Sequence, residues 1–202
     1  IYRERGVYLI TGGFGGTASI IAQYLARTYH ANLILTSRRN LGKNEIIKLK
    51  EIEKAGGKAI YIKADISNQE DVTALVDKSI EHFGHINGVL HTAGIIKDAM
   101  LSNKDIQDIK QVLMPKVYGT RYLDEALKDT ELDFFVMFSS LSSVIGNIGQ
   151  TDYCYANSFM DEFAAIRNQL RKKDLRSGKT YSINWSFWEN GGMKIDTGTQ
   201  KW

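Results

Sequence analysis

A serine pair, a tyrosine and an asparagine stand together in one stretch of this chain, FFVMFSSLSSVIGNIGQTDYCYAN, from Phe134 to Asn157. The apolar run Phe134 to Phe138 suits a strand buried on both faces, and it stops at Ser139 and Ser140. Tyr153 and Asn157 are four residues apart where the pattern predicts a helix to start. That spacing puts both on one helical face, aimed back at the strand end. Ligands of open α/β sheets bind beyond the carboxyl ends of the strands, so a hydroxyl, a phenol and an amide converging there form a candidate proton-handling site. Serine pairs at strand ends and tyrosines near helix starts also arise for purely structural reasons, so the surrounding elements must carry part of the argument.

Those elements begin with a predicted strand, Val7 to Thr11, which runs into Gly12, Gly13, Phe14, Gly15 and Gly16 and then a helical pattern with apolar Ile20, Ile21, Tyr24 and Leu25. Strand, glycine turn and helix, in that order, make a phosphate cradle: exposed backbone N–H groups sit at the positive end of a helix. Gly13, Gly15 and Ala18 fit the G-x-G-x-x-G/A form, which favours a dinucleotide over a plain loop. A second strand, Asn32 to Thr36, ends in Ser37, Arg38 and Arg39, where an NAD-preferring protein would place Asp or Glu for the ribose hydroxyls. A carboxylate would repel a 2′-phosphate, whereas an arginine binds it through paired charged hydrogen bonds, so NADP(H) is the expected cofactor. The structural alternative is that Arg38 and Arg39 solvate a loop.

Asn44 to Lys54 is an amphipathic helix stopped by Gly56 and Gly57, and Lys58 to Lys63 is a third strand. The end of that strand, Ala64-Asp65-Ile66, is placed to meet an adenine ring, although Asp65 could equally cap a turn. Val72, Leu75, Val76, Ile80 and Phe83 mark the next helix. Asn87 to His91 is a fourth strand, and the small residues Thr92, Ala93 and Gly94 after it permit close approach by a cofactor or form a simple turn. Ser102 to Leu113 is predicted helical with Ser102 as its N-cap, and Pro115 predicts a boundary or kink just before Lys116. A long helix, roughly Asp152 to Lys172 with Phe159, Phe163, Ile166 and Leu170 inward, leads to a sixth strand, Tyr181 to Trp185. Alternating strands and helices predict an α/β Rossmann-type, doubly wound parallel sheet. Residues 186 to 202 read as a substrate lid or a frayed terminus.

The composition bounds the function. The 202 residues suit one domain, and 43% hydrophobic with 24% charged residues is ordinary for a globular protein. A net charge of +3, widely dispersed, gives no footing for nucleic acid, though it would not repel an acidic protein partner. Cys154 is the single cysteine, which excludes an internal disulfide and fits a cytoplasmic setting. His30, His82, His85 and His91 show no metal-ligand spacing, and no apolar run approaches the ~20 residues of a membrane span.

Taken together, YLITGGFGGTA, LTSRR, KADIS, HTAG, MPKVYGT, FSSLSSVIGNIGQTDYCYAN and NWSFWENGGM resemble, in order, the signatures of the ketoreductase domains of modular polyketide synthases, a branch of the short-chain dehydrogenases/reductases. The resemblance covers essentially the whole chain. Short-chain reductases that stand alone usually carry Lys four residues after the catalytic Tyr. Here that position is Asn157 and a lysine occurs earlier, at Lys116, as in the synthase ketoreductases.

The resemblance implies that Tyr153 donates a proton to the substrate carbonyl, with Ser140 as its hydrogen-bonding partner and Lys116 and Asn157 completing a tetrad. Tyr155 is a rival that neither the motif nor the spacing to Asn157 selects. A free phenol has a pKa of about 10, and a nearby ammonium is expected to make it easier to deprotonate. The cofactor, NADPH, would contact Gly12, Gly13, Phe14, Gly15, Gly16, Ser37, Arg38, Ala64, Asp65, Ile66, His91, Ala93, Gly94, Lys116 and Tyr153. Asp98, Ile145, Gln150 and Trp188 would face the substrate and set its stereochemistry.

Three departures from the family pattern bear on this. Ala18 replaces a frequent third glycine, Ser186 replaces a frequent glycine after NW, and Ile96-Lys97-Asp98 keeps only the last Asp of the Leu-Asp-Asp signature of reductases that make the D-configured hydroxyl. Ile145 stands where the opposite class tends to carry Trp, so the D class is expected. The implied activity is NADPH-dependent reduction of a β-ketoacyl thioester, held by phosphopantetheine on an acyl carrier protein, with other synthase domains on the same polypeptide. Neither the family's seventh strand nor its pseudo-reductase structural subdomain is read here, which points to a fragment of a larger enzyme. Rival readings are a reductase of a small free ketone and a non-reducing scaffold or epimerising module.

Overall fold

The computed structural model describes residues 1–186 and Trp188. Each sheet strand alternates its side chains between two hydrophobic cores, because parallel strands are covered by helices on both faces. In β1 (Val7–Thr11), Val7 and Leu9 enter one core while Tyr8 and Ile10 enter the other. The remaining strands are β2 (Asn32–Ser37), β3 (Lys58–Lys63), β4 (Gly88–His91), β5 (Phe134–Ser140) and β6 (Lys179–Trp185). All neighbours pair in parallel, in the order β3-β2-β1-β4-β5-β6, which bears out the doubly wound reading. The order reverses direction between β1 and β4, and the crevice above that reversal is where such sheets bind ligands.

Helices α1 (Gly16–Tyr29) and α2 (Lys43–Lys54) cover the Tyr8 face. The Leu9 face is covered by α3 (Gln69–Phe83), α5 (Gly119–Ala126) and α7 (Thr151–Lys172), through Val72, Leu75, Leu123, Met160 and Ala164. Helix α4 (Ile106–Leu113) and the short α6 (Ser142–Ile145) lie toward the carboxyl ends of the strands.

Some helix expectations are corrected. The segment from Ser102 is not one helix: Leu101–Asn103 forms a 3-10 turn, and Asp105 caps α4 by accepting from Gln107 N at 2.6 Å, while Ser102 Oγ is spent on Asn103 Oδ1. Pro115 does mark a break, which takes the form of a π-turn, Met114–Tyr118, joining α4 to α5. In α1 the inward residues are Ala18, Ala22, Leu25 and Ala26, and Ile20 and Tyr24 are exposed. In α7 the buried stripe is Tyr153, Ala156, Asn157, Met160, Ala164 and Arg167, with Ile166 left exposed. On both helices alanines take part of the face against the sheet, Ala18, Ala22 and Ala26 in α1 and Ala156 and Ala164 in α7, while Ile20, Tyr24 and Ile166 lie off it. Phe159 and Phe163 still pack against the core edge. Apart from Ser186 and Trp188, the expected lid lies outside the described residues.

Candidate active site

Four elements converge beyond the carboxyl end of β5. Ser140 is the last residue of that strand and is half-buried. Tyr153 and Asn157 are buried on one face of the first turns of α7, where Asn157 Nδ2 donates to Tyr153 O at 2.7 Å. Ser139 Oγ donates to Asn157 O at 3.3 Å, tying the helix to the strand. Ser140 Oγ accepts from Ser142 N at 3.2 Å and Ser142 Oγ at 3.0 Å. Lys116 enters from the π-turn, 3% exposed, with Nζ donating to Phe138 O at 2.7 Å and lying 5.5 Å from the centre of the Tyr153 ring. It passes over Gly94, where an added Cβ would stand 2.7 Å from Lys116 Cε. Ser140, Tyr153, Asn157 and Lys116, remote in sequence, are therefore brought together; Tyr155 is 61% exposed and points away from the tetrad.

The electrostatics differ from expectation. Burial raises the Tyr153 phenol, and the Asn157 carboxamide and Ser140 hydroxyl pull the other way without reversing it. The expected acidified phenol is thus not the resting condition of this site. Burial pushes Lys116 down to about 7, opposed by the charge of Asp161. Asn157 Oδ1 is buried and has no partner among the described residues. An orphaned acceptor beside a buried phenol and an amine is suited to holding a water or a ligand hydroxyl.

The glycine loop fits a dinucleotide. Gly12, at φ 64°, folds under the chain after β4, where an added Cβ would lie 3.0 Å from Ala93 Cα, so the two loops meet at the sheet's reversal point. Helix α1 has Gly15 as its N-cap, which offers no side chain, and no acidic residue in its first turn, which leaves its N–H groups open to an anion. Phe14 O and Ser19 Oγ both accept from Lys48 Nζ, at 2.9 and 3.0 Å, a brace not foreseen from the sequence. Ser37 lies within 3.1 Å of the Tyr61 hydroxyl, which also donates to Ser37 O and Arg39 O. Arg38 is exposed and in no ion pair among the described residues, free to meet a phosphate. Ala64 and Ile66 are buried, and Asp65 Oδ1 accepts from Ser67 N at 2.9 Å, the turn-capping alternative.

His91 is fully buried with both ring nitrogens engaged, Nδ1 with Thr11 Oγ1 at 2.7 Å and Nε2 with Pro115 O at 3.0 Å. Both nitrogens are spent inside the protein, where the ring braces the π-turn that carries Lys116, which leaves the main chain of His91 as its means of meeting a cofactor. Burial holds its pKa down at about 3, so the ring is neutral. Of the residues expected to face the substrate, Gln150 donates from Nε2 to the exposed Asp98 at 3.2 Å, and nearby Ala99 N donates to Gly149 O at 3.0 Å. Ile145 is 78% exposed at the rim, and the Trp188 ring lies 4.9 Å from that of Trp185, edge to face. Sequence reasoning missed Lys104, Asp152 and Asp161, charged residues turned inward on segments whose apolar pattern drew attention elsewhere. No group of metal-ligating side chains and no helix long and apolar enough to cross a membrane occurs among the described residues.

A dinucleotide cradle at the sheet reversal with a Tyr, Ser and Lys constellation beside it defines an oxidoreductase of the short-chain, nicotinamide-dependent class. The KR domain family matches residues 6–190, and the chain belongs to that family. It is 47% identical over 201 residues to the polyketide synthase PksN of Bacillus subtilis, covering 99% of this chain and 4% of that protein. It resembles a crystal structure of a ketoreductase domain from the bacillaene assembly line, with a TM-score of 0.95 and 40% identity over 98% of this chain and 48% of that one. A ketoreductase from the macrolactin assembly line gives a TM-score of 0.89 and 46% identity over 94% of this chain and 38% of that one. The chain spans only a small part of its curated relatives and less than half of these solved chains.

Proposed function

We propose that this domain reduces a β-ketoacyl thioester to the β-hydroxyacyl thioester with NADPH, on substrates delivered by an acyl carrier protein during polyketide assembly in the cytoplasm. The observation that carries the reading is the convergence of Tyr153, Ser140, Asn157 and Lys116 beside a glycine cradle. Bound NADPH supplies the hydride. The chain supplies the rest: Tyr153 gives the matching proton to the carbonyl oxygen as the C–O⁻ charge develops, and Ser140 orients that oxygen by hydrogen bonding. Lys116 stabilises the phenolate left behind, which requires its Nζ to serve the phenol as well as Phe138 O. Arg38 and Ser37 at the end of β2, with no carboxylate there, support NADPH over NADH. Asp98, joined to Gln150, supports the D-configured product. Other synthase domains on the same polypeptide are the natural source and destination of the acyl chain.

Incubating the protein with NADPH and a β-ketoacyl thioester surrogate should cause loss of nicotinamide absorbance. Tyr153→Phe should reduce the rate by about 100-fold or more. A Phe variant at full rate overturns the assignment.

A further inference from the structure

Asp161 lies on α7 one turn beyond Asn157 and two beyond Tyr153, half-buried behind the site. Its carboxylate gathers donors from two other elements. Oδ2 accepts from Ser143 Oγ of α6 at 2.6 Å and from Asn184 Nδ2 of β6 at 2.8 Å, and Oδ1 accepts from Ser182 Oγ of β6 at 2.5 Å. Asn184 Nδ2 also reaches Ser143 Oγ at 2.6 Å and Ser140 O at 3.3 Å, while Ser158 Oγ closes on Ser143 O at 3.0 Å. The network that starts at Asp161 therefore ends on the main chain of Ser140.

An ionised carboxylate is the group this geometry selects. It is acceptor-only, so it takes both hydroxyls and the amide without presenting a donor of its own; an amide in its place would turn an NH₂ toward at least one of them. Charged acceptors also make the stronger bonds, which holds α6 and the end of β6 more firmly against α7. The same charge is the influence that opposes burial at Lys116.

We propose that Asp161 is a positioning residue of this site: its carboxylate locks α6 and β6 against α7 so that Ser140 is held opposite Tyr153, and the same negative charge acts on the buried Lys116. The catalytic half of this statement rests on the ketoreductase reading above. The electrostatic half does not. Asp161 is the charge that acts on Lys116; of the other titratable groups facing it, Tyr153 of α7 has its ring centre 5.5 Å from Nζ and His91 of β4 is held neutral by burial and by the Lys116 charge, while β5 presents peptide oxygens and serine hydroxyls.

The test compares the full-length protein with Asp161→Asn and Asp161→Glu. With NADPH and a β-ketoacyl thioester surrogate, Asp161→Asn should lower kcat about tenfold or more, leave KM for NADPH within about twofold, and move the limb of the pH profile that reports Lys116 down by about one pH unit. Asp161→Glu should restore the position of that limb. A second readout is independent of turnover: the pH at which urea stability begins to climb, near 7 from Lys116, should fall in Asp161→Asn and show no such fall when Lys116→Met is also present. An unmoved stability onset, or a kcat loss that only tracks the folded fraction with an unshifted profile, overturns the proposal. Failure of the native protein to reduce the surrogate, with the stability onset still moving, would count against the ketoreductase reading and support the charge coupling.

Discussion

Lys104 Nζ and Asp152 Oδ1 stand 2.5 Å apart as an ion pair whose side chains are 1% and 2% exposed, one residue ahead of Tyr153. Asp152 Oδ1 also accepts from Tyr153 N at 2.9 Å, and Lys104 Nζ donates to Gly149 O at 3.0 Å. The pair thus bolts the segment before α4 to the start of α7, and it fixes where the phenol is presented.

Breaking one side of this pair leaves a buried charge with no partner, which costs about 3–5 kcal/mol. Lys104→Met should lose that much stability at neutral pH in a urea titration. Adding Asp152→Asn should recover most of it, since the amide can still accept from Tyr153 N. Additive losses in the double variant would show that the two side chains do not act as a pair.

Lys116 predicts the opposite: a native residue that destabilises. Its ammonium titrates near 7 in the folded protein against 10.5 for an exposed lysine, so the unfolded chain binds the proton more tightly. Below pH 7 both states are charged and the full burial cost is present; between 7 and 10.5 stability rises with pH as the folded amine sheds its proton. Lys116→Met should therefore be more stable than the native protein below pH 7, by on the order of 3 kcal/mol after losing the bond to Phe138 O. The advantage should shrink as pH approaches 10.5, and the variant should not reduce the thioester surrogate. Equal stability of the two proteins across this range would contradict the burial of a charged amine.

Ser37 ends β2 and Arg38 follows it, where a bound dinucleotide's ribose is expected. Ser37→Asp places a carboxylate against a 2′-phosphate and should lower kcat/KM for NADPH by about tenfold or more relative to NADH. Steady-state rates with the two cofactors decide it. An unchanged ratio would mean that the phosphate is read elsewhere.

Both boundaries of β1 and β3 could be read from sequence, because an apolar run between glycines or charges leaves few alternatives. The tetrad was legible only through its motifs. Tyr153 and Asn157 share a face by simple spacing, but nothing local says that Lys116 points inward, since lysines on helices are usually solvated. Its burial follows from the π-turn at Pro115 and from His91 bracing that turn, relations between residues distant in the chain. The inward faces of α1 and α7 were misjudged for a related reason. Periodicity ranks Ile20 and Ile166 above Ala22 and Ala164, whereas close packing on a sheet ranks them the other way. Arg167 shows the limit most plainly. It is wholly buried because Asp124, Ser177 O, Gly178 O and Thr180 Oγ1 all receive it, and no window of sequence contains that set.

The anchor for Lys116 is the peptide oxygen of Phe138, an atom that every residue type presents. Side-chain drift at 138 therefore meets a packing requirement, set by its neighbours such as Trp185, without touching the grip on the amine. Evolution can retune the apolar packing on the far side of this strand while the cation on the near side stays moored.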